Sequence, residues 1–409
     1  MRLARRLLSA LFALFALLAL ASPAAAAPER KAPVTILVSL DGFRPDYLKR
    51  GVTPNLNRLA ADGVSAPMRP SFPSKTFPNH WAIVTGLRPD RSGIVANRME
   101  DARRPGEVFT MDTVDPFWWE GATPIWVAAE KAGIRTATLF WPGSSVEVQG
   151  VRPSDWWAHA TPNTDRQRVD GILDWLRRPA ATRPKFLTLY IETADHAGHD
   201  FGPFDARTTA AVGEIDRAMG QLVAGLAALG QPANLVIVSD HGMAATSSRR
   251  VVLASALADP TDYRMIESGT YASFVPTAGH EAALAAALLK PHEHVQCWRR
   301  EAIPPRFHYG RNPRVPPFLC LAEVGWLIAK EPPKQPKEGG EHGYDNDAPD
   351  MIATFIASGP AFAKGARLPE FDNVDVEPLL RDLLGLPKQA GIDGTDAPFR
   401  TALRTLPSP

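Results

Sequence analysis

The sequence predicts an α/β fold with an open, mostly parallel sheet that helices cover on both faces. Short apolar runs recur along the chain and end in polar residues, which is typical of buried parallel strands. Segments with apolar residues at spacings of three and four alternate with these runs and indicate amphipathic helices. One long segment breaks the alternation and predicts an inserted subdomain. Ligands of such sheets bind outside the carboxyl ends of the strands, so the polar ends mark the expected site.

Residues 1–27 have the parts of a secretory signal peptide. A positive region with Arg2, Arg5 and Arg6 precedes the apolar run LLSALFALFALLALA, and SPAAAA supplies small residues for cleavage. A membrane anchor is the alternative, but the run is short for a span and small residues follow it at once. We therefore expect residues 28–409 to form a single exported domain, periplasmic or secreted, without a membrane span after cleavage.

The composition is that of an ordinary globular protein, and it excludes one class of partner. The 409 residues are 45% hydrophobic and 22% charged, with a formal net charge of +1. This balance provides no global attraction for nucleic acid or an acidic membrane, so we expect no nucleic acid as a stable partner. Export permits a disulfide between Cys297 and Cys320, but the sequence leaves their pairing open, as it does the oligomeric state.

Five apolar runs are predicted to be strands of the sheet. In chain order they are PVTILVSLDG, RTATLFWPG, KFLTLYIETAD, NLVIVSDHG and MIATFIASG. Three of the runs end in a carboxylate, at Asp41, Asp195 and Asp240. Because the carboxyl ends of neighbouring parallel strands meet at one edge of a sheet, these side chains are expected to converge. For any one of them, a surface loop or a salt bridge is the alternative.

The segment DARTTAAVGEIDRAMGQLVAGLAALG is predicted to be a helix that covers this sheet. Apolar residues recur in it at spacings of three and four, which places them on one face of a helix. These residues are Val212, Ile215, Met219, Leu222, Leu226 and Leu229.

Residues from about 243 to 340 are predicted to form an α+β cap inserted into the domain. The segment combines the runs YASFVPT and FLCLAEVGWLIA, a helical pattern around HEAALAAALL, and proline-rich connectors. The chain then returns to the sheet at MIATFIASG, so we expect an insertion into one domain and not a second domain.

Three histidines join the three carboxylates in positions typical of loops or turns. His199 follows Asp195 by four residues, His241 directly follows Asp240, and His342 lies in EHGYDN. Six such groups exceed the three or four ligands of one zinc ion and suit two, a pair that clamps phosphorus during in-line displacement. The alternatives are a helix cap for His199, a backbone hydrogen bond for His241 and a surface loop for His342. The other histidines are predicted to be surface or core residues, with His196 the hardest to exclude: His80, His159, His196, His280, His292, His294 and His308.

A candidate nucleophile lies in the segment PSFPSKTFPNHWAIVTG. Pro73 and Pro78 bracket Thr76, and an apolar helical run follows, with Pro78 tolerated in the first turn. A helix N-terminus beside a metal favours ionisation of a hydroxyl, which then attacks phosphorus. The alternative is that Thr76 only caps the helix.

Seven motifs resemble the nucleotide pyrophosphatase/phosphodiesterases of the alkaline phosphatase superfamily, and they occur in that family's order. They are SLDGFRPDYL, FPSKTFPNHWAIVTGLRPDRSGIVANRM, GATPIWVAAEKAG, FWPGS, YIETADHAGHDFGP, VSDHGM and EHGYDN. The similarity runs from about Val34 to Ala357 and is weak in the cap. It implies an alkaline-phosphatase-like fold and a single catalytic domain.

The resemblance also implies a site with two Zn²⁺ ions. One ion would be held by Asp41, Thr76, Asp240 and His241, and the other by Asp195, His199 and His342. By the same resemblance, Thr76 is the nucleophile and forms a covalent phospho-enzyme that water hydrolyses. Asn97 matches the family asparagine that donates to a non-bridging phosphate oxygen.

The implied substrate is a nucleotide or nucleotide-like phosphodiester, cleaved to release a nucleoside monophosphate. Asn97 is neutral and Lys75 is the only cationic candidate nearby, which favours the single charge of a diester over the double charge of a monoester. Phe77 and Tyr190 resemble the family residues that sandwich the base, with burial in the core as the alternative for each. Thr76, without a cysteine nearby, argues against sulfatase chemistry.

Other functions stay open at this point. The same chemistry would serve a choline-type phosphodiester, a phosphonate such as phosphonoacetate, or a phosphomonoester. A metal-dependent binding or structural module is a further alternative, which the presence of the nucleophile and every ligand disfavours.

Overall fold

The computed structural model describes residues 31–159 and 163–404, so the predicted signal peptide lies outside the described residues. The strands in this part of the chain are β1 (Val34–Leu40), β2 (Val64–Arg69), β3 (Met99–Glu100), β4 (Val108–Phe109), β5 (Thr136–Leu139), β6 (Asp155–Trp156), β7 (Phe186–Ile191), β8 (Ala233–Val238), β9 (Ala244–Ser247), β10 (Val251–Leu253), β11 (Tyr263–Glu267), β12 (Tyr271–Pro276), β13 (Val295–Arg299), β14 (Phe318–Ala322), β15 (Leu327–Ala329), β16 (Glu338–Glu341), β17 (Ala353–Ser358), β18 (Ala366–Arg367) and β19 (Phe371–Asp372).

The α-helices alternate with the strands of the core, as the apolar spacing predicts. Within the described residues they are α1 (Pro54–Asp62), α2 (Thr76–Thr85), α3 (Pro89–Ser92), α4 (Ile125–Lys131), α5 (Asp165–Leu176), α6 (Thr193–Phe201), α7 (Ala206–Ala228), α8 (Ala254–Leu257), α9 (Glu281–Leu288) and α10 (Val376–Leu384). None of the helices in the described chain is long and apolar enough to cross a membrane.

The central sheet is mostly parallel, which confirms the predicted fold class. Its strand order is β18-β2-β17-β8-β1-β7-β5-β6, and β19 also pairs with β2. One predicted direction is wrong: the run MIATFIASG forms β17, which is antiparallel to both β2 and β8. A continuous apolar run reports burial on both faces but not direction, so the sequence pattern could not have revealed this.

Strand β1 lies in the middle of the sheet and fixes the position of the site. It is parallel to β7 on one side and to β8 on the other, with Leu40 opposite Ile191 and Ser39 opposite Val238. The carboxyl ends of the three strands therefore meet at one edge, from which the loops to Asp41, Asp195 and Asp240 depart.

Both faces of the sheet are buried, and the inner strands β1, β7, β8 and β17 contribute to two cores. Leu37 of β1 packs in one core with Trp81 of α2, whereas Ile36 and Val38 pack in the other. The second core includes the predicted apolar face of α7, of which Leu222 is fully buried. The alternation of sides along each strand explains why the runs are continuously apolar.

The predicted cap segment contains a separate antiparallel sheet with its own core. Its strand order is β11-β12-β14-β13, and α9 packs with it in a third apolar cluster. Cys297 of β13 and Cys320 of β14 are directly opposite each other and form a disulfide, which decides the pairing that the sequence left open. The boundaries of the cap, about 243–340, remain a prediction.

Candidate functional site

The predicted site residues come from separate segments that meet at the carboxyl edge of the sheet. Asp41 directly follows β1, and Asp240 and His241 follow β8 after one residue. One placement differs from the prediction: β7 ends at Ile191, so Asp195 lies in the first turn of α6 and not at a strand end. His199 lies one helical turn later, which places both side chains on the same face of α6.

The first cluster surrounds Nε2 of His241. This atom lies 2.9 Å from Oδ2 of Asp240, 3.4 Å from Oδ1 of Asp41 and 3.3 Å from Oγ1 of Thr76. The side chains of Asp41, Asp240 and His241 are almost completely buried. Four polar groups therefore share one small, water-poor volume, which is costly unless a cation neutralises the carboxylates.

The second cluster contains Asp195, His199 and His342. Oδ1 of Asp195 lies 3.4 Å from Nε2 of His199 and 3.8 Å from Nε2 of His342. The ring of His342 stacks on that of His241 with 3.5 Å between centroids, so the two clusters adjoin. Ligand atoms of Asp195, His241 and His342 all lie within 4.8 Å of one another.

The hydrogen bonds of the three histidines leave the same nitrogen of each ring facing the carboxylates. Nδ1 of His199, His241 and His342 each lies 2.9 Å from a backbone carbonyl oxygen, of Gly340, Gly242 and Ser74 respectively. A proton on Nδ1 donates to that carbonyl, and the Nε2 lone pair then points into the cluster. A hydrogen bond from one ring nitrogen to a carbonyl, with the other nitrogen facing the carboxylates, is typical of metal-binding histidines.

The ionisation of the buried carboxylates also fits a metal. Burial raises the pKa of Asp41 well above its usual range, and the carboxylates of Asp240 and Asp195 raise it further. Burial has the same effect on Asp240, but the imidazoles of His241 and His80 outweigh it and lower its pKa. Oδ1 of Asp41, Oδ1 of Asp195 and Oδ2 of Asp240 accept no hydrogen bond within the described chain. Unsatisfied, buried carboxylate oxygens beside Nε2 lone pairs are suitable ligands for divalent cations.

Two of the imidazoles differ in protonation. Burial lowers the pKa of His342 well below its usual range, and the neighbouring His241 lowers it further, so the His342 ring is neutral. Burial also lowers the pKa of His199, but Asp195 and Glu341 outweigh it and raise it to about 9. A metal on Nε2 of His199 must therefore displace a proton, which makes its binding pH-dependent.

Thr76 is the first residue of α2, and its hydroxyl faces the first cluster. Lys75 occupies the N-cap position, and its side chain makes no capping hydrogen bond. Oγ1 of Thr76 is instead within 3.3 Å of His241. The helix N-terminus adds a positive electrostatic potential at this point, which favours an oxyanion.

Asn97 and Phe77 are joined beside Thr76. Oδ1 of Asn97 accepts a hydrogen bond of 3.0 Å from the backbone N–H of Phe77. The carboxamide oxygen is thereby occupied, and the NH₂ group is the part of Asn97 that remains to donate into the cleft. The Phe77 ring packs 6.1 Å and 6.0 Å, between centroids, from Phe109 and Trp119, so it is partly a core residue as well.

A cavity of about 600 Å³ adjoins these groups and has an aromatic wall. Phe77, Trp141, Trp157 and Tyr190 all line it. Tyr190 is nearly buried, and its hydroxyl donates a hydrogen bond of 2.6 Å to Oδ2 of Asp41. This contact was not expected from the sequence, and it connects the aromatic wall to the first cluster.

Two residues that touch the clusters were not predicted from the sequence. His80 is fully buried, and its Nδ1 lies 2.9 Å from the Thr76 carbonyl oxygen and 3.3 Å from Oδ2 of Asp240. The available signal in the sequence was its position four residues after Thr76, which places both residues on the same face of α2. Glu341, adjacent to His342, has Oε1 3.5 Å from Nδ1 of His199. His196 and His159, which were predicted to be core or surface residues, line the cavity.

The fold, the clusters and the ordered motifs define an enzyme of the phosphoric diester hydrolase class. A sequence model described as "Type I phosphodiesterase / nucleotide pyrophosphatase" matches residues 35–345. The chain belongs to this family, which confirms the resemblance found in the sequence.

Two relatives show how far the similarity extends along the chain. The bis(5'-adenosyl)-triphosphatase of Xenopus laevis is 38% identical over 361 residues, which cover 87% of this chain and 79% of that protein. Ectonucleotide pyrophosphatase/phosphodiesterase family member 1 of Mus musculus is 36% identical over 376 residues, which cover 88% of this chain but 41% of the mouse protein.

Solved structures share this fold over most of the chain. Human ectonucleotide pyrophosphatase/phosphodiesterase 5 superposes with a TM-score of 0.87 at 32% identity, over 91% of this chain and 100% of the human chain. An inactive threonine-to-alanine variant of the murine protein, in complex with AMP, superposes with a TM-score of 0.86 at 32% identity over the same shares of the two chains.

Proposed function

We propose that this protein is a two-zinc phosphodiesterase/nucleotide pyrophosphatase that acts through a phospho-threonine intermediate. It hydrolyses nucleotide or nucleotide-like phosphodiesters and releases nucleoside monophosphates. The observation that carries the proposal is the position of Thr76 Oγ1, at a helix N-terminus and 3.3 Å from His241 Nε2 among unsatisfied carboxylates. The names of the relatives and the AMP bound to the inactive murine variant support this substrate class.

The residues proposed to hold the metals are those of the two clusters. One Zn²⁺ has Asp41, Thr76, Asp240 and His241 as ligands, and the other has Asp195, His199 and His342. Zinc bound there would act as a Lewis acid that lowers the pKa of the Thr76 hydroxyl and offsets negative charge on the reacting phosphate.

The protein's own groups account for the remaining steps. The ionised Oγ1 of Thr76 attacks phosphorus and forms a new P–O bond, while the bond to the leaving oxygen breaks and that oxygen keeps the electron pair. The NH₂ group of Asn97 donates to a non-bridging oxygen, whose charge increases in the transition state. Phe77 and Tyr190 hold the base by stacking. Water then hydrolyses the phospho-threonine and restores the hydroxyl.

The domain and its location are part of the same proposal. Residues 28–409 form one catalytic domain after removal of the signal peptide, and the cap at about 243–340 contributes to substrate choice. Two named relatives are ectonucleotide enzymes, which supports export to the periplasm or the medium. A disulfide is also typical of exported proteins.

A paired assay on zinc-loaded residues 28–409 tests the proposal. p-Nitrophenyl-TMP and p-nitrophenyl phosphate are compared in the wild type, in Thr76→Ala and in the conservative control Thr76→Ser, which keeps a hydroxyl. We expect strong diesterase preference, loss of about 10³-fold or more in Thr76→Ala, and partial retention in Thr76→Ser. Activity that survives in Thr76→Ala would refute the nucleophile. Dominant monoesterase activity would favour the alternative substrates, which include phosphomonoesters, phosphonates such as phosphonoacetate and choline-type diesters.

A further inference from the structure

One lysine lines the cleft among several carboxylates in the described chain. Of the described residues that line the cavity, Lys75 is the only lysine or arginine, whereas five are carboxylates: Asp41, Asp112, Glu192, Asp195 and Glu341. Substrates of the proposed reaction are anions, so a single ammonium group in an otherwise acidic cleft is a candidate determinant of which anions bind.

The side chain of Lys75 is held in place by its surroundings. Its side chain is only 13% exposed, and its aliphatic part packs against Gly343. A Cβ atom on residue 343 would lie 2.5 Å from Cε of the lysine, which is too close. Gly343 also has a φ of +111°, a conformation that other residues rarely adopt. A glycine at this position therefore leaves the space through which the lysine reaches the cleft.

The ammonium group of Lys75 forms an ion pair but keeps its hydrogen-bond donors available. Nζ lies 3.6 Å from Oε2 of Glu341, which is an ion pair but exceeds the length of a hydrogen bond. No hydrogen bond of this Nζ occurs within the described chain, and the nearby Glu267 forms no ion pair with it there. The three N–H groups of Lys75 thus remain able to donate to an anion in the cleft.

The position of Lys75 relates it to a specific part of the substrate. It directly precedes the nucleophile Thr76, and its partner Glu341 adjoins His342 and contacts His199. The ammonium group thus borders the second cluster, and by the family resemblance a metal held there would stabilise the leaving oxygen. A phosphate attached to that oxygen would then lie on the side of the site where the Lys75 ammonium group remains able to donate.

We propose that Lys75 binds the phosphate of a phosphorylated leaving group and so favours pyrophosphate-bond substrates over simple phosphodiesters. This inference rests on the proposed function. When the α-phosphorus is attacked, the leaving oxygen keeps the electron pair of the broken bond and the departing phosphate gains one negative charge. Lys75 stabilises that charge through hydrogen bonds from its ammonium group. A nitrophenolate leaving group has no phosphate for this contact.

Two measurements on zinc-loaded protein of residues 28–409 test the inference. The first is the ratio of kcat/KM for ATP to that for p-nitrophenyl-TMP, which we expect to fall by about 10-fold to 100-fold in Lys75→Met. The second is the affinity for ATP and for AMP, measured by calorimetry on proteins that also carry Thr76→Ala. In this background Lys75→Met should weaken the binding of ATP by a similar factor and the binding of AMP much less. Lys75→Arg keeps the charge and should restore part of the ratio.

The controls separate this inference from the function on which it depends. Lys337→Met is the matched control, because Lys337 forms an ion pair of 3.7 Å with Asp200 and does not line the cavity; its ratio should equal that of the wild type. If Lys75→Met lowers kcat/KM equally for ATP and p-nitrophenyl-TMP, or changes neither value, the proposed role of Lys75 is overturned. Hydrolysis of p-nitrophenyl-TMP that persists in Thr76→Ala would instead overturn the proposed function itself.

Discussion

Tyr190 has a ring that lines the cavity and a hydroxyl that contacts Asp41. The two parts of the side chain predict different roles. The ring is proposed to stack on the base of the substrate, whereas the hydrogen bond of 2.6 Å orients a proposed metal ligand and lowers the pKa of Asp41 against the opposing effect of burial. The same side chain would therefore connect substrate binding to the proposed metal site, and single substitutions separate the two effects.

We predict that Tyr190→Phe weakens metal binding and leaves substrate binding nearly unchanged. Loss of the hydroxyl removes a partner that orients Asp41, and such losses typically cost about 10-fold to 100-fold in metal affinity. The ring remains, so KM for p-nitrophenyl-TMP at saturating zinc should change little. Zinc titration and steady-state kinetics measure both quantities. Tyr190→Leu is the comparison and should raise KM; an increase of KM in the Phe variant with unchanged zinc affinity would contradict the prediction.

At the scale of elements, a buried ion pair attaches α5 to the end of β7. Nη1 and Nη2 of Arg168 both donate to the carboxylate of Glu192, and Nη1 also donates to the Tyr190 carbonyl oxygen at 2.9 Å. Arg168 is 2% exposed and Glu192 is 6% exposed. Burial opposes ionisation of Glu192, but the hydrogen bonds from Arg168 outweigh it and lower its pKa to about 2.

We predict that Arg168→Met lowers the free energy of unfolding by about 3–5 kcal/mol at pH 7, because the buried Glu192 loses its strongest partner and keeps the longer ion pair of 3.6 Å with His159. The pKa of Glu192 is lower in the folded chain than its unfolded value of about 4.3, so the stabilisation is complete above that value and is lost as the pH falls toward 2. Urea unfolding at pH 7 and pH 3 measures the difference, which should shrink at the lower pH. Arg217→Met, which breaks an exposed pair with Glu214, is the control and should have little effect. If the difference in free energy of unfolding between the wild type and Arg168→Met grows at pH 3, the stabilising role of the Arg168–Glu192 ion pair is contradicted.

The disulfide is an element-scale constraint on the cap sheet. Cys297 and Cys320 are 23 residues apart in sequence and link β13 to β14. We predict that the double substitution Cys297→Ala/Cys320→Ala lowers the free energy of unfolding of the cap sheet by about 3 kcal/mol. This is the loss expected when the unfolded chain is no longer restrained by a disulfide that closes a loop of this length. Hydrogen exchange should accelerate in β13 and β14 and not in β1 or β8. Unchanged exchange in β13 and β14 would contradict this prediction.

At the scale of the whole molecule, the site connects segments that are distant in sequence. Its groups come from the loop after β1, the start of α2, helix α6, the loop after β8 and the residue after β16. Metal ions bound by all of these segments would stabilise the folded state by mass action, because the unfolded chain does not hold the groups together.

We therefore predict that chelation lowers the Tm of the protein and that zinc restores it. A ligand at 1,000 times its Kd contributes about 4 kcal/mol to the free energy of unfolding. Differential scanning calorimetry with EDTA, and after re-addition of zinc, measures the shift. In Asp240→Asn, which removes a buried charged ligand, the shift should be smaller. An unchanged Tm on chelation, with metal removal verified by elemental analysis, would argue against a structural contribution of the metals.

What the sequence determined by itself was local: the apolar strands, helix α7, and the neighbouring residues from which the site is proposed. Continuous apolar runs, a spacing of four between Asp195 and His199, and a proline-bracketed Thr76 are patterns of neighbouring residues, and local backbone geometry follows from them. The order of the motifs then indicated the family.

Only the tertiary structure decided the features that depend on which segments are neighbours in space. Strand β17 runs antiparallel because hydrogen bonding to β2 and β8 sets direction, and burial alone does not encode it. His80, Glu341 and the hydroxyl of Tyr190 reach the clusters through contacts between separate segments. The cysteines pair because β13 and β14 are adjacent. Such contacts are non-local, and residue spacing along the chain carries no information about them.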